Sequence, residues 1–150
     1  MGITTAMCSS FKRELLGGLH DLDTDTIKLA LIKPSNSGTY GAATTNYSNV
    51  TDNSDEASGT NYPATGQALG SPSITLDGTT AMVDFANEVF ENVSTSADGC
   101  IIYNTASADG STAGAAICVI DFGGTVTAVA GDLTIEFPTV GTSTTIIRIA

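Results

Sequence analysis

Apolar and polar positions alternate with two different periods along this chain, and the change comes early. Met7, Cys8, Phe11, Leu15 and Leu16 recur at helical spacing, Thr4 or Thr5 can supply a capping hydroxyl, and Gly17-Gly18 follows as a stop. These positions predict one amphipathic helix over residues 6–16. From Thr26 the period becomes two. Ile27, Leu29 and Leu31 alternate with Lys28 and Ala30, as in a half-buried strand.

Residues 34–72 carry almost no aliphatic side chains and are dense in Gly, Ser, Asn and Thr. They predict a long surface excursion with one short strand around Gln67 to Leu69. Compact domains seldom leave so long a segment loose, so it is expected to pack along the body or against a neighbouring subunit. Beyond Pro72 the apolar runs are short and divided by turn signals. Residues 74–76 and 80–85 predict a hairpin across Asp77-Gly78. Strands at 89–93 and 100–103 follow, separated at Asp98-Gly99. Residues 115–122 are expected to turn at Gly123-Gly124 into 125–129, residues 133–137 form a strand ended by Pro138, and 144–149 form the last. About eight short strands and one short N-terminal helix predict an all-β fold, an antiparallel β-sandwich or jelly roll. We read one domain over 1–150, with the sandwich body at 26–150. No internal repeat suggests a solenoid or propeller.

At 150 residues such a domain buries about two-thirds of its unfolded surface, so it needs neither disulfide nor metal to fold. Charge changes the picture more than size does. The formal net charge is −11, and the five cations are Lys12, Arg13, Lys28, Lys33 and Arg148. Between Pro34 and Ile147 there is none, while twelve acids fall there, Asp109 among them. Phosphate affinity comes chiefly from Lys and Arg, so nucleic acid is excluded as a partner, and the same field repels an anionic membrane. Residues 1–10 lack the positive start of a secretory signal, and no apolar run is long enough to span a bilayer. Met-Gly opens the chain, but Ala6 stands where a myristoylation signal has Ser or Thr. The Asn46, Asn49 and Asn92 sequons are read as chance matches.

Candidate chemistry is sparse. Cys8, Cys100 and Cys118 show no paired metal-ligand spacing, and the latter two read as reduced core residues. His20 is the only histidine and adjoins Asp21, but adjacency in sequence is not a catalytic triad, and no nucleophile signature accompanies it. Asp21, Asp23 and Asp25 have the spacing that opens a calcium loop. The sixth and twelfth positions are then Thr26 and Ile32, where such a loop has Gly and Glu, so a solvated turn is expected. Asp52, Asp55 and Glu56 form a second acidic cluster, read as a solvated face. No carboxylate pair stands out for glycoside hydrolysis, and no phosphate-binding fingerprint is present. We therefore expect no enzyme and no cofactor.

Several framework segments carry a resemblance. Ile3-Thr4-Thr5-Ala6-Met7-Cys8-Ser9-Ser10-Phe11-Lys12 and Thr26-Ile27-Lys28-Leu29-Ala30-Leu31 resemble the opening of small virion-associated proteins of tailed bacteriophages, many of them marine or cyanobacterial. Val83-Asp84-Phe85, Ile101-Ile102-Tyr103-Asn104, Val119-Ile120-Asp121-Phe122-Gly123, Gly131-Asp132-Leu133-Thr134-Ile135-Glu136-Phe137-Pro138 and Ile146-Ile147-Arg148-Ile149-Ala150 are similar to the same group. The resemblance implies a structural part of the particle, a capsid decoration protein assembled in the host cytoplasm and carried on the virion surface. Its expected partners are the major capsid protein and copies of itself, as a homotrimer. The charge asymmetry makes Met7, Phe11, Lys12, Arg13, Leu15 and Leu16 the candidate docking residues. An alternative is a receptor- or glycan-binding module of a fibre or tail, with Tyr40, Tyr47 and Tyr62 of the 34–72 excursion as its contact surface.

Overall fold

The computed structural model describes residues 2–106 and 113–150, so Asp109 lies outside the described residues. The fold is all-β, an antiparallel sandwich with one short N-terminal helix. In chain order the elements are β1 (Gly2–Ile3), β2 (Ala6–Met7), α1 (Ser9–Leu16), β3 (Ile27–Ile32), β4 (Thr39–Tyr40), a single turn α2 (Ser48–Thr51), β5 (Gln67–Ala68), β6 (Ser73–Asp77), β7 (Thr80–Asp84), β8 (Glu88–Asn104), β9 (Ala115–Ile135) and β10 (Ile147–Ile149). The main sheet has the order β2-β9-β8-β3-β5 and is antiparallel throughout, and a second sheet has the order β10-β7-β6. β1 and β4 form a small parallel pair. Val83, Phe85 and Ile147 of the smaller-sheet region join Phe11, Leu29, Leu31, Phe90, Ile101 and Ile117 in one core.

The helix starts later than its hydrophobic spacing predicts. Residues 6 and 7 are strand, paired to Val119 and Cys118 of β9, and the Thr5 hydroxyl accepts the Asp121 N–H instead of capping a helix. The Gly17-Gly18 stop stands where expected: Gly17 N–H bonds to the Arg13 carbonyl and Gly18 takes a positive φ.

Two predicted breaks are also corrected. Asp98-Gly99 and Gly123-Gly124 lie inside two long strands of 17 and 21 residues that pair from Glu88–Ile135 to Asn104–Ala115. Opposite the step from Ala97 to Gly99, β9 advances from Val126 to Asp121, so its extra residues form a large bulge. Gly123 supplies the positive φ that this bulge needs, and its N–H bonds to the Asp121 carboxylate at 2.8 Å. Glycines that look like a turn in sequence here bend one strand.

The 34–72 excursion packs along the body as a discontinuous edge strand. Leu69 N–H bonds to the Ile27 carbonyl, Gln67 is registered with Leu29, Ala57 N–H bonds to the Leu31 carbonyl, and Lys33 N–H bonds to the Asp55 carbonyl. Where the segment bulges away between 57 and 67, the Tyr62 hydroxyl accepts the Leu31 N–H at 2.9 Å. The free edge of β3 is thereby satisfied nearly along its length, which an edge requires if it is not to invite pairing. Tyr40, Val50, Ala57 and Leu69 carry the excursion into the core.

Candidate functional site

The proposed docking residues are only partly brought to the surface. Phe11 is fully buried (0 % exposed) and tilts against His20 with ring centroids 5.0 Å apart, so it belongs to the core and is withdrawn from the docking set. The eight-residue helix places Phe11 and Glu14 inward, and Lys12, Arg13 and Leu16 outward. Leu16 is 92 % exposed, an unusual position for a large aliphatic side chain unless something covers it. Met7 and Leu15 are half-buried. Together Met7, Lys12, Leu15, Leu16, Arg148 and Ile149 line an open cleft of about 420 Å3. Its floor is apolar and two cations stand on its rim, with Arg13 exposed beside Lys12.

Arg148 and Ile149 are the members that sequence reasoning missed. They arrive from the far end of the chain on β10, and Arg148 is steadied there by donating to the Thr142 carbonyl at 2.9 Å. The other two cations are held by the excursion: Lys28 Nζ donates to Thr65 Oγ1, and Lys33 Nζ donates to the Ser54 carbonyl and stands 3.4 Å from Asp55. The cleft is therefore the one cation-rimmed apolar surface among the described residues. A second cleft of similar volume runs along the outer half of β9, lined by residues such as Phe122, Val126, Leu133 and Phe137. Glu136 is its only titratable group.

No protein-family model matches the chain, and no match is found among curated proteins or solved structures.

His20 is built into a polar network. Its Nε2–H donates to Glu14 Oε2 at 2.9 Å, and Nδ1 accepts from Asn104 Nδ2 at 3.0 Å. Asn104 is itself fixed, since its Oδ1 accepts the Ala106 N–H and its Nδ2 also donates to Asp25 Oδ2 at 2.6 Å. Both ring nitrogens are thus occupied, and among the described residues no hydroxyl or thiol is bonded to the ring. The network joins α1 to the mouth of the β8–β9 pair, a structural task. Asp25 spends one carboxylate oxygen on Asn104 and on the Asp21 N–H, and its own N–H bonds to the Asp21 carbonyl, so it closes the turn and ties it to Asn104. Among the described residues no three His, Cys, Asp or Glu side chains converge to hold a metal ion.

Of the second acidic cluster only Asp52 lies on the solvated face its composition suggests, while Asp55 and Glu56 are drawn inward. Asp55 is fully buried and accepts from the Tyr40 hydroxyl at 2.6 Å, from the Ser37 and Gly38 N–H groups, and from the Ser37 hydroxyl. Burial alone would raise its pKa, but these donors and Lys33 outweigh burial and hold the carboxyl far below the usual range. Glu56 accepts from the Tyr47 and Tyr62 hydroxyls and from the Thr65 N–H, while Tyr47 stacks on Tyr103 with centroids 4.3 Å apart. The three tyrosines put forward as a contact surface are turned inward, onto carboxylates and rings.

The cysteines are all buried and free. Burial pushes the Cys8 and Cys118 thiols up to about 12 and Cys100 well above its ordinary value. At pH 8 the thiolate fraction at pKa 12 is on the order of 10⁻⁴, so the thiols should be inert in the folded protein. A thiol-specific chromogenic reagent is expected to find all three in denaturant and essentially none in native buffer over minutes. Rapid native labelling would contradict the buried placement.

Proposed function

We propose that this chain is a non-enzymatic structural protein of a tailed-phage virion, a capsid decoration protein that seats its cation-rimmed cleft on the assembled shell. The observation that carries the reading is the separation of surfaces. Lys12, Arg13 and Arg148 gather around exposed Leu16 and Ile149, while the other two cations, Lys28 and Lys33, are bonded to Thr65 and to Ser54 and Asp55, and the rest of the described surface is acidic or neutral. An apolar floor supplies contact area and a polar rim supplies orientation, the arrangement found in protein–protein interfaces. The acidic body would then project into solvent and keep decorated particles apart. The resemblance of the framework segments to phage virion proteins supports the same reading. The inward-facing tyrosines weigh against the tail or fibre alternative, because they leave the excursion without its proposed contact surface.

Removing residues 1–18 does not test this cleanly. That segment contributes β2, Cys8 and Phe11 to the core, so its loss would unmake the fold. Point charges are better. The full-length Lys12→Glu/Arg148→Glu double variant, altered only at exposed positions, is expected to keep the native melting temperature within a few degrees. It should bind assembled shells of the cognate major capsid protein at least about tenfold more weakly at low salt. The wild-type affinity should itself fall with added salt. Equal binding by both proteins would remove the cleft from the docking surface.

A further inference from the structure

We propose that β6 is a self-pairing edge: two copies of this chain join β6 to β6 antiparallel about a two-fold axis at Thr75, fusing their three-stranded sheets into one of six strands. Every residue of β6 is exposed, and its outer edge is unpaired within the chain. Its sequence, Ser-Ile-Thr-Leu-Asp, carries no lysine, proline or bulge, and its one charge, Asp77, stands at the turn end of the strand.

The ladder fixes which groups point outward. Asp77 and Thr80 close a two-residue turn, so they form a hydrogen-bonded pair with each other, as do Thr75 with Met82 and Ser73 with Asp84. Ile74 and Leu76 therefore direct their N–H and C=O groups to the open edge. Their side chains share a face, and in register with Val83 and Ile147, and with Ala81 and Ile149, they extend the apolar side of the sheet. At that end the face is bare: Ile74 is 52 % exposed, Leu76 72 % and Ile149 49 %.

Only one register uses both outward residues twice. With Thr75 opposite Thr75 of the second copy, Ile74 meets Leu76 and Leu76 meets Ile74, giving four backbone hydrogen bonds and a continuous aliphatic strip. A shift of two residues either way pairs one outward residue with itself and leaves the other against the Gly78 turn or against Pro72, which has no N–H. The same register sets Asp77 beside the Ser73 hydroxyl of the second copy. It keeps the two Asp77 carboxylates roughly 14 Å apart, beyond the screening length at physiological salt. The dimer, proposed in place of the homotrimer that the resemblance implies, also carries two docking clefts, which multiplies a modest affinity for a repeating lattice. Nothing in the pairing itself depends on what those clefts bind.

The test is sedimentation equilibrium of the full-length chain. A species of about 30 kDa is expected, twice the 15.2 kDa of one chain. Leu76→Lys should weaken association at least about tenfold. Val129→Lys, at a position 80 % exposed on the other sheet, should leave it unchanged. Thr75→Cys should form an intermolecular disulfide on mild oxidation, because facing residues at a non-hydrogen-bonded position bring their Cβ atoms close. Ser73→Cys, facing Asp77, should not. A chain that stays at 15.2 kDa at every concentration, a trimer, or a dimer indifferent to Leu76→Lys would each overturn the proposal.

Discussion

Replacing Asp55 with Ala is expected to remove about 3–5 kcal/mol of unfolding free energy at pH 7, the largest effect expected of a single polar substitution among the described residues. The side chain is wholly buried and is the common acceptor for Tyr40, Ser37, Gly38 and Lys33. Its loss strands the buried Tyr40 hydroxyl and the Ser37 and Gly38 N–H groups, whose desolvation cost remains, and removes the counter-charge of half-exposed Lys33. Asp55→Asn keeps the volume and one acceptor and should cost less. The pH dependence follows from the sign of the shift. The folded carboxyl lies below its unfolded value of about 3.9, so its contribution is complete above that value and is lost as pH falls through it towards the folded one. Urea denaturation at pH 7 and at pH 3 should show the wild-type advantage over Asp55→Asn shrinking at the lower pH. An advantage that grows on acidification would contradict the hydrogen-bonded carboxylate.

The second large effect is a backbone one. Gly66 immediately precedes β5 with φ +70°, and a Cβ added there would stand 1.9 Å from the Leu29 carbonyl oxygen and 2.6 Å from Ala30 Cα. Neither atom belongs to a flexible side chain, so Gly66→Ala must peel β5 away from β3. It should lose about 3 kcal/mol, from the clash together with the strained φ. Four residues on, Gly70 has nothing within 4 Å of such an atom. Gly70→Ala is accordingly expected to change stability by no more than about 0.5 kcal/mol. Calorimetric melts of the two variants separate a docked excursion, in which only the first falls, from a loose one, in which both melt like the wild type.

These two sites mark where sequence reading stops. The periods of two around Leu29 and of helical spacing around Phe11 follow from burial and are visible along the chain, as is the hairpin at Asp77-Gly78. The excursion was visible only as a lack of aliphatics, because an edge strand is held by backbone groups that every residue possesses. Its anchors, Tyr62 on Leu31 and Gly66 on Leu29, are more than thirty residues from their partners. For the same reason the acidic cluster at Asp55 looked solvated until Tyr40 and Ser37 were brought to it.

The β8–β9 pair shows the opposite fault. Asp98-Gly99 and Gly123-Gly124 have the composition of turns, and only the register across the two strands tells a bulge from a reversal. The proposed docking cleft was half legible. Lys12, Arg13, Leu15 and Leu16 could be named from an amphipathic, basic helix, but Phe11 was indistinguishable from them by spacing alone. Arg148 and Ile149 lie over 130 residues away, and no local pattern connects them to α1.

The most direct measurement is the location of this chain in a cryo-electron-microscopy reconstruction of the virion. The account predicts repeated density on the outer face of the head, with α1, Arg148 and Ile149 against the major capsid protein and the acidic β8–β9 surface towards solvent. Density confined to the tail or its fibres, or a head-bound copy with that cleft facing outward, would contradict it.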